Sequence, residues 1–177
     1  RKPYATMVEY FDTLDAEKVP KSGRALAALG PRALQLSAER SWGTHPYLTT
    51  PEHTRRAREL LGAGPLIAPE QKVVLETDPQ RAREIGRPVV ATPYLKAINY
   101  ISNLRRLGWT DADLADDGSD ALIDALAPHG DATTVASRLT DHLDAGADHV
   151  CVQVLTADRS ASPLPGLREL SEALNLR

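Results

Sequence analysis

The sequence has 177 residues, 42% apolar and 25% charged, enough to bury one core and too apolar for a disordered chain. A net charge of −3 offers no attraction to phosphate backbones or anionic lipid, and no apolar run approaches the ~20 residues of a membrane span, so neither nucleic acid nor membrane is an expected partner. The single cysteine, Cys151, excludes a disulfide framework within the chain and fits a reducing, cytoplasmic compartment.

Prolines and glycines punctuate the chain. Residues 3–15 open on Pro3 and carry Met7, Tyr10, Phe11 and Leu14 at helical spacing. The apolar run 25–29 is only five residues long and is cut off by Gly30-Pro31, which predicts a buried strand in spite of alanine's helical preference. Pro31 starts a helix with Leu34, Leu36 and Ala38, and 43–48 is a second short strand. Thr50-Pro51 opens a helix that reaches Leu61 before Gly62, and 62–69 reads as a loop. Residues 71–77 form the clearest strand, closed by Asp78-Pro79.

From 79 to 127 the pattern is helical, with breaks expected at Gly86-Arg87-Pro88, Gly108 and Asp117-Gly118-Ser119. Tyr94, Ile98, Ile101 and Leu104 give an apolar stripe there. Asp131 caps a helix with Val135, Leu139 and Leu143 on one face and Gly146 as its stop. A strand at 149–155 and a last helix at 165–174 follow. Strand then helix, four times over, implies an α/β fold with a parallel sheet and right-handed crossovers. An open doubly wound sheet and part of a (β/α)8 TIM barrel both satisfy that order. No strand-to-helix turn carries G-x-G-x-x-G or G-x-x-x-x-G-K-[ST], so the dinucleotide and P-loop fingerprints are absent.

The wording of the segments goes further. Leu26-Ala27-Ala28-Leu29-Gly30-Pro31 and then Gly43-Thr44-His45-Pro46-Tyr47-Leu48 resemble the fifth and sixth strand units of the luciferase-like monooxygenase superfamily. The stretch Glu70 to Pro79 resembles its seventh strand, and His129 to Val150 the helix leading into its eighth. The order of the four pieces is that of the family, and the branch using coenzyme F420 is the most similar. The resemblance implies one partial TIM-barrel domain over 1–177, the C-terminal half of a (β/α)8 barrel. The N-terminal strand units, which hold much of the isoalloxazine pocket, are absent from this sequence. No residue is therefore assigned to catalysis.

Gly30 and Pro31 stand where a strand becomes a helix. Glycine lets a ligand approach the backbone, and the helix start favours an anion. The resemblance implies that Ala28, Leu29 and Gly30, with Pro31, hold the ribityl or phosphate part of the cofactor; a plain tight turn is the other reading. His45 lies at the carboxyl end of the second strand, the end where barrel enzymes gather their sites. It can bond cofactor or substrate, or be a structural histidine bonded to a carbonyl. His53 falls on a helix and reads as solvated. Lys72 and Glu76 share parity with Val74 and are either buried charges needing partners or an exposed edge. Cys151, Gln153 and Leu155 share a face, with Gln153 a satisfied core amide.

Residues 111–150 hold ten Asp and one Arg, a local charge of −9, but Asp111-x-Asp113-x-x-Asp116-Asp117-Gly118 misses the calcium-loop spacing and several Asp residues suit helix caps, so no metal is expected. The function implied is an oxidoreductase or monooxygenase that uses reduced coenzyme F420, or FMN, on a small-molecule substrate, as a homodimer. The alternative is a truncated, non-catalytic half-barrel that persists as a structural or ligand-binding dimer.

Overall fold

Proline opens four helices in the computed structural model, which describes residues 3–176. These are α1 (Pro3–Ala16), α2 (Pro31–Arg40), α3 (Pro51–Leu61) and α4 (Pro79–Ala91). Proline costs nothing there, since its missing N–H would have no helical acceptor. The remaining α-helices and strands are β1 (Gly43–Thr44), β2 (Leu66–Ile67), β3 (Glu70–Val74), α5 (Ile98–Arg106), α6 (Asp111–Leu114), α7 (Asp120–Leu126), α8 (Ala132–Asp144), β4 (Cys151–Leu155) and α9 (Leu164–Ala173), with short 3-10 turns at Lys21–Gly23 and Tyr94–Lys96. Among the described residues no helix is long and apolar enough to cross a membrane.

Every strand pairing among the described residues is parallel. β1 pairs with β2 and β3 with β4, while Leu26 bridges Thr44 and His129 bridges Val74 in the same sense. Only Ala68 and Pro69 separate β2 from β3, and the ladder continues through them: Ala68 N–H donates to Thr44, Glu70 N–H to Pro46, and Cys151 N–H to the Pro69 carbonyl. The extended stretches 24–28, 42–46, 66–74 and 150–155 are thus neighbours in chain order.

Their lengths differ from the sequence expectation. The strand expected at 25–29 is a single bridge at Leu26, and 43–48 shrinks to Gly43–Thr44. Pro46 has no N–H to give, and Leu48 turns to φ 52. The expected loop 62–69 contains β2. β3 begins earlier than 71–77, at Glu70, whose N–H pairs with the Pro46 carbonyl, and ends earlier, where the Glu76 carboxylate accepts from Asp78 N–H before the cap of α4. Helix α4 is not broken at 86–88. Gly86 sits inside it because a Cβ would come 3.2 Å from that of Ala127, and Pro88 removes one helical N–H donor inside α4 while its own carbonyl still accepts from Thr92 N–H at 3.3 Å. The stripe over 94–104 also fails in part: Ile98 is 71% exposed, whereas Leu104 is buried.

Gln71 and Val73 face the helices α8 and α9, where Val73, Val135, Leu139 and Leu170 form a core. A second core joins Ala28, Leu34, Ala57 and Ile67 beneath α2 and α3. A third, with Leu48, Val90, Leu104, Leu122 and Leu126, belongs to α4–α7 beside the carboxyl end of β3. Each fully buried Leu or Val contributes about 1.5–3 kcal/mol over exposure. The acidic stretch is used locally. Asp131 caps α8 through Thr134 N–H, Asp113 completes a capping box with Thr110, and Asp120 and Asp124 pair with Arg83. At the amino ends of the strands, Arg58 donates to the carbonyls of Gly62, Pro65 and Gly146 and pairs with Asp148, which itself accepts from Ile67 N–H.

Candidate functional site

Glu70 and Lys72 occupy alternate positions on β3, on the face turned away from α8. Lys72 is 2% exposed, and its Nζ donates to both Glu70 oxygens at 2.9 and 3.0 Å. The Tyr94 ring lies 4.9 Å from that Nζ and the Tyr47 ring 5.6 Å, so aromatic faces replace the water the ammonium has lost. Tyr100 packs edge-on against Tyr94, and burial followed by the neighbouring Tyr94 and Glu70 raises its hydroxyl above the ordinary range. Glu76, which shares parity with Lys72, lies beyond the end of the strand and takes no part.

His45 is on the same face. Its Nδ1 donates to the Ala68 carbonyl at 2.6 Å, which leaves Nε2 outside that bond. Its ring meets Tyr47 edge-on at 5.0 Å. The structure therefore contains the carbonyl-bonded histidine, with one nitrogen still available. Cys151 stands opposite Glu70 in the β3–β4 register, and burial, then Glu70, pushes its thiol up, away from the reactive thiolate. Gln153, expected as a core amide, is exposed on β4, with which no further strand pairs among the described residues.

The turn before α2 has a different character. Ala28 is fully buried on the helix side, and its N–H is bonded to Thr44 Oγ1, which in turn donates to the Leu26 carbonyl. Leu29 is buried, Gly30 is the N-cap, and Pro31 is exposed at the first helical position. Gly30 has ordinary extended dihedrals, φ −85 and ψ 156, so its conformation does not demand glycine. A Cβ there would meet only the Arg106 guanidinium, at 3.5 Å. A cation and the amino end of a ten-residue helix thus stand together, with the backbone unobstructed.

Sequence reasoning placed His53 in solvent, and the structure overturns this. The residue is 3% exposed in the first turn of α3, with Nδ1 accepting from Asn103 at 3.3 Å and Nε2 without a partner among the described residues. Burial, then the nearby His142 and Arg106, lowers its pKa to about 4. A relay missed entirely joins Thr54, His142 and Gln71 on the helix side. Gln71 gives its amide protons to the Lys72 and Leu126 carbonyls, so its Oε1 must accept from His142 Nε2 at 2.7 Å. Thr54 Oγ1 then donates to Nδ1 at 2.9 Å. Burial lowers His142 to about 4 as well, against a smaller upward pull from Asp141. No group of three or more His, Cys, Asp or Glu among the described residues could hold a metal ion.

No protein-family model matches the chain, and no curated protein matches it. Among solved structures it is similar to an F420-dependent secondary alcohol dehydrogenase in complex with an F420-acetone adduct, with a TM-score of 0.56 and 14% identity over 83% of this chain and 47% of that one. The likeness is one of fold, and the chain spans about half the length of the structure it matches.

Proposed function

We propose that the chain is the C-terminal half of a (β/α)8-barrel oxidoreductase of the luciferase-like kind, using reduced coenzyme F420, or FMN in its place, for hydride or oxygen transfer to a small organic substrate. The observation that carries this reading is the shared fold over 83% of the chain with a protein whose bound ligand is an F420 adduct. It agrees with the resemblance carried by the wording of residues 26–31, 43–48, 70–79 and 129–150. The donor set before α2 fits an anionic cofactor. Leu29 and Gly30 would hold its phosphate-bearing part, Arg106 would neutralise it, and Ala28, fixed by Thr44, would set the turn. When bound, the cofactor supplies the hydride chemistry, and the protein supplies pocket and orientation. His45, with a free Nε2 beside Tyr47, would donate to or accept from cofactor or substrate. The chain's own residues carry no assigned catalytic step.

Titration of the purified native protein with F420 and with FMN, followed by cofactor absorbance, tests the reading. Gly30→Val should weaken binding at least tenfold, about 1.4 kcal/mol, with the far-ultraviolet spectrum unchanged, because the new Cβ makes only an ordinary contact with Arg106. Arg106→Ala should cost a similar factor. No binding of either cofactor to the native protein would sink the proposal. Binding that both variants leave intact would move the cofactor away from α2.

A further inference from the structure

Arg106 comes to the turn before α2 from far along the chain. It stands on the last turn of α5, within the run of helices α4 to α7 that separates β3 from α8. Its residue is exposed, and its guanidinium has one side-chain partner among the described residues, the Asn103 oxygen at 3.4 Å. A long stem held in one place gives up rotamer freedom, so the placing of this cation needs a cause.

The cause lies on α3. Asn103 is 3% exposed, and its amide has only one workable orientation. Arginine can only donate, so the Asn103 oxygen must face Arg106 and the amino group must face His53. There Asn103 Nδ2 donates to His53 Nδ1 at 3.3 Å. The buried ring is neutral, its pKa lowered to about 4 by burial first of all, and its proton therefore sits on Nε2. A ring with its proton on Nδ1 would turn the amide over. The amino group would then meet the guanidinium, two donors with no acceptor between them.

α3 holds the backbone of the same residue as well. Arg56, three positions after His53, donates to the Arg106 carbonyl and is itself fixed by Glu52 at 2.8 Å. Ala57 of α3 and Leu34 of α2 share one core, so the helix that holds Arg106 is packed on the helix whose amino end Arg106 faces. A Cβ on Gly30 would stand 3.5 Å from that guanidinium.

We infer that His53 and Asn103 are positioning residues for Arg106: the imidazole orients the amide, and the amide holds the guanidinium over the Gly30 turn, where it meets the phosphate-bearing part of an anionic ligand. Neither residue touches that ligand. The ligand's place at the turn rests on the proposed function; the orientation of Arg106 by His53 does not.

Titration with F420 at neutral pH tests the chain of contacts. His53→Leu fills similar space but accepts no hydrogen bond, and should weaken binding by roughly tenfold. His53→Gln, whose Oε1 can take the Asn103 proton, should restore most of the affinity. In the Arg106→Ala background His53→Leu should change nothing further, because the group it positions is gone. Nitrogen NMR on the native chain reads the same arrangement with no cofactor present. It should show His53 protonated on Nε2 and slow rotation of the Arg106 guanidinium, which His53→Leu makes fast. If His53→Leu fails to fold, Asn103→Leu leaves α3 untouched and serves both measurements. Additive losses in the double variant, a Gln variant as weak as the Leu one, or a guanidinium whose rotation ignores the substitution would each overturn the inference. A native chain that binds no F420 while the guanidinium still answers to His53 removes the cofactor reading and upholds the positioning of Arg106.

Discussion

Two buried polar networks lie back to back across β3, and they are built on opposite terms. On one face Glu70 and Lys72 form an ion pair covered by Tyr94 and by Tyr47, which is 39% exposed. On the other, Thr54, His142 and Gln71 form a neutral relay in which each of the three side chains is closed off by core. The ion pair owes its survival to charge balance and would suffer from losing one member. The relay owes its survival to the absence of charge and would suffer from gaining one.

Acid should therefore attack the helix side first, and this is the largest effect expected. The pKa values of His53 and His142 are lowered from 6.5 to about 4 in the folded protein. Between those values the unfolded chain binds protons that the folded one refuses, so stability is complete above pH 6.5 and falls as the pH drops toward 4. Each imidazole accounts for up to about 3 kcal/mol of that loss. Urea midpoints collected across the window measure it, and a flat profile would contradict the neutral-relay account. In His142→Gln the slope should be roughly halved.

The charged face is sharpened by Lys72→Met. This change leaves a buried carboxylate without its cation and should cost about 3–5 kcal/mol in urea unfolding. Adding Glu70→Gln should restore most of the loss, since a neutral pair of similar volume strands no charge. A double variant as weak as the single one would mean that packing, not charge, holds the site.

Smallest of all is Thr54→Val, which removes one hydroxyl-to-imidazole bond at nearly constant volume and should cost about 1 kcal/mol. Calorimetry at pH 7 is sufficient to see it. A loss as large as that of Lys72→Met would erase the distinction between the two networks.

The strands' order and sense were legible, because proline and glycine separate the apolar runs. Their lengths were not: Leu48 turns to φ 52, and β3 yields to the cap of α4, where the Glu76 carboxylate takes the N–H of Asp78 and competes with the strand. His53 was within reach. It precedes Ala57 by four residues and Leu61 by eight, which puts it on the inward stripe of α3, but its polarity outweighed its position. Glu70 also had a signal, as the opposite charge two places before Lys72 on a strand. Tyr94 had none, because it arrives from a distant helix connection. The turn at Gly30 and Pro31 was visible locally, whereas Arg106 reaches it only through the packing of α5.

Arg58 has a consequence for how this chain tolerates being rebuilt. It gathers three carbonyls and a carboxylate, reaching Asp148 across 90 positions of sequence, and all four acceptors lie at the amino ends of the strands. A lysine there has one ammonium and cannot reach that spread of acceptors. The loops at the opposite, carboxyl ends are tied to none of it. New termini opened within 157–162, or segments grafted there, would leave the fastening intact, so the end that would meet ligands is also the end free to vary.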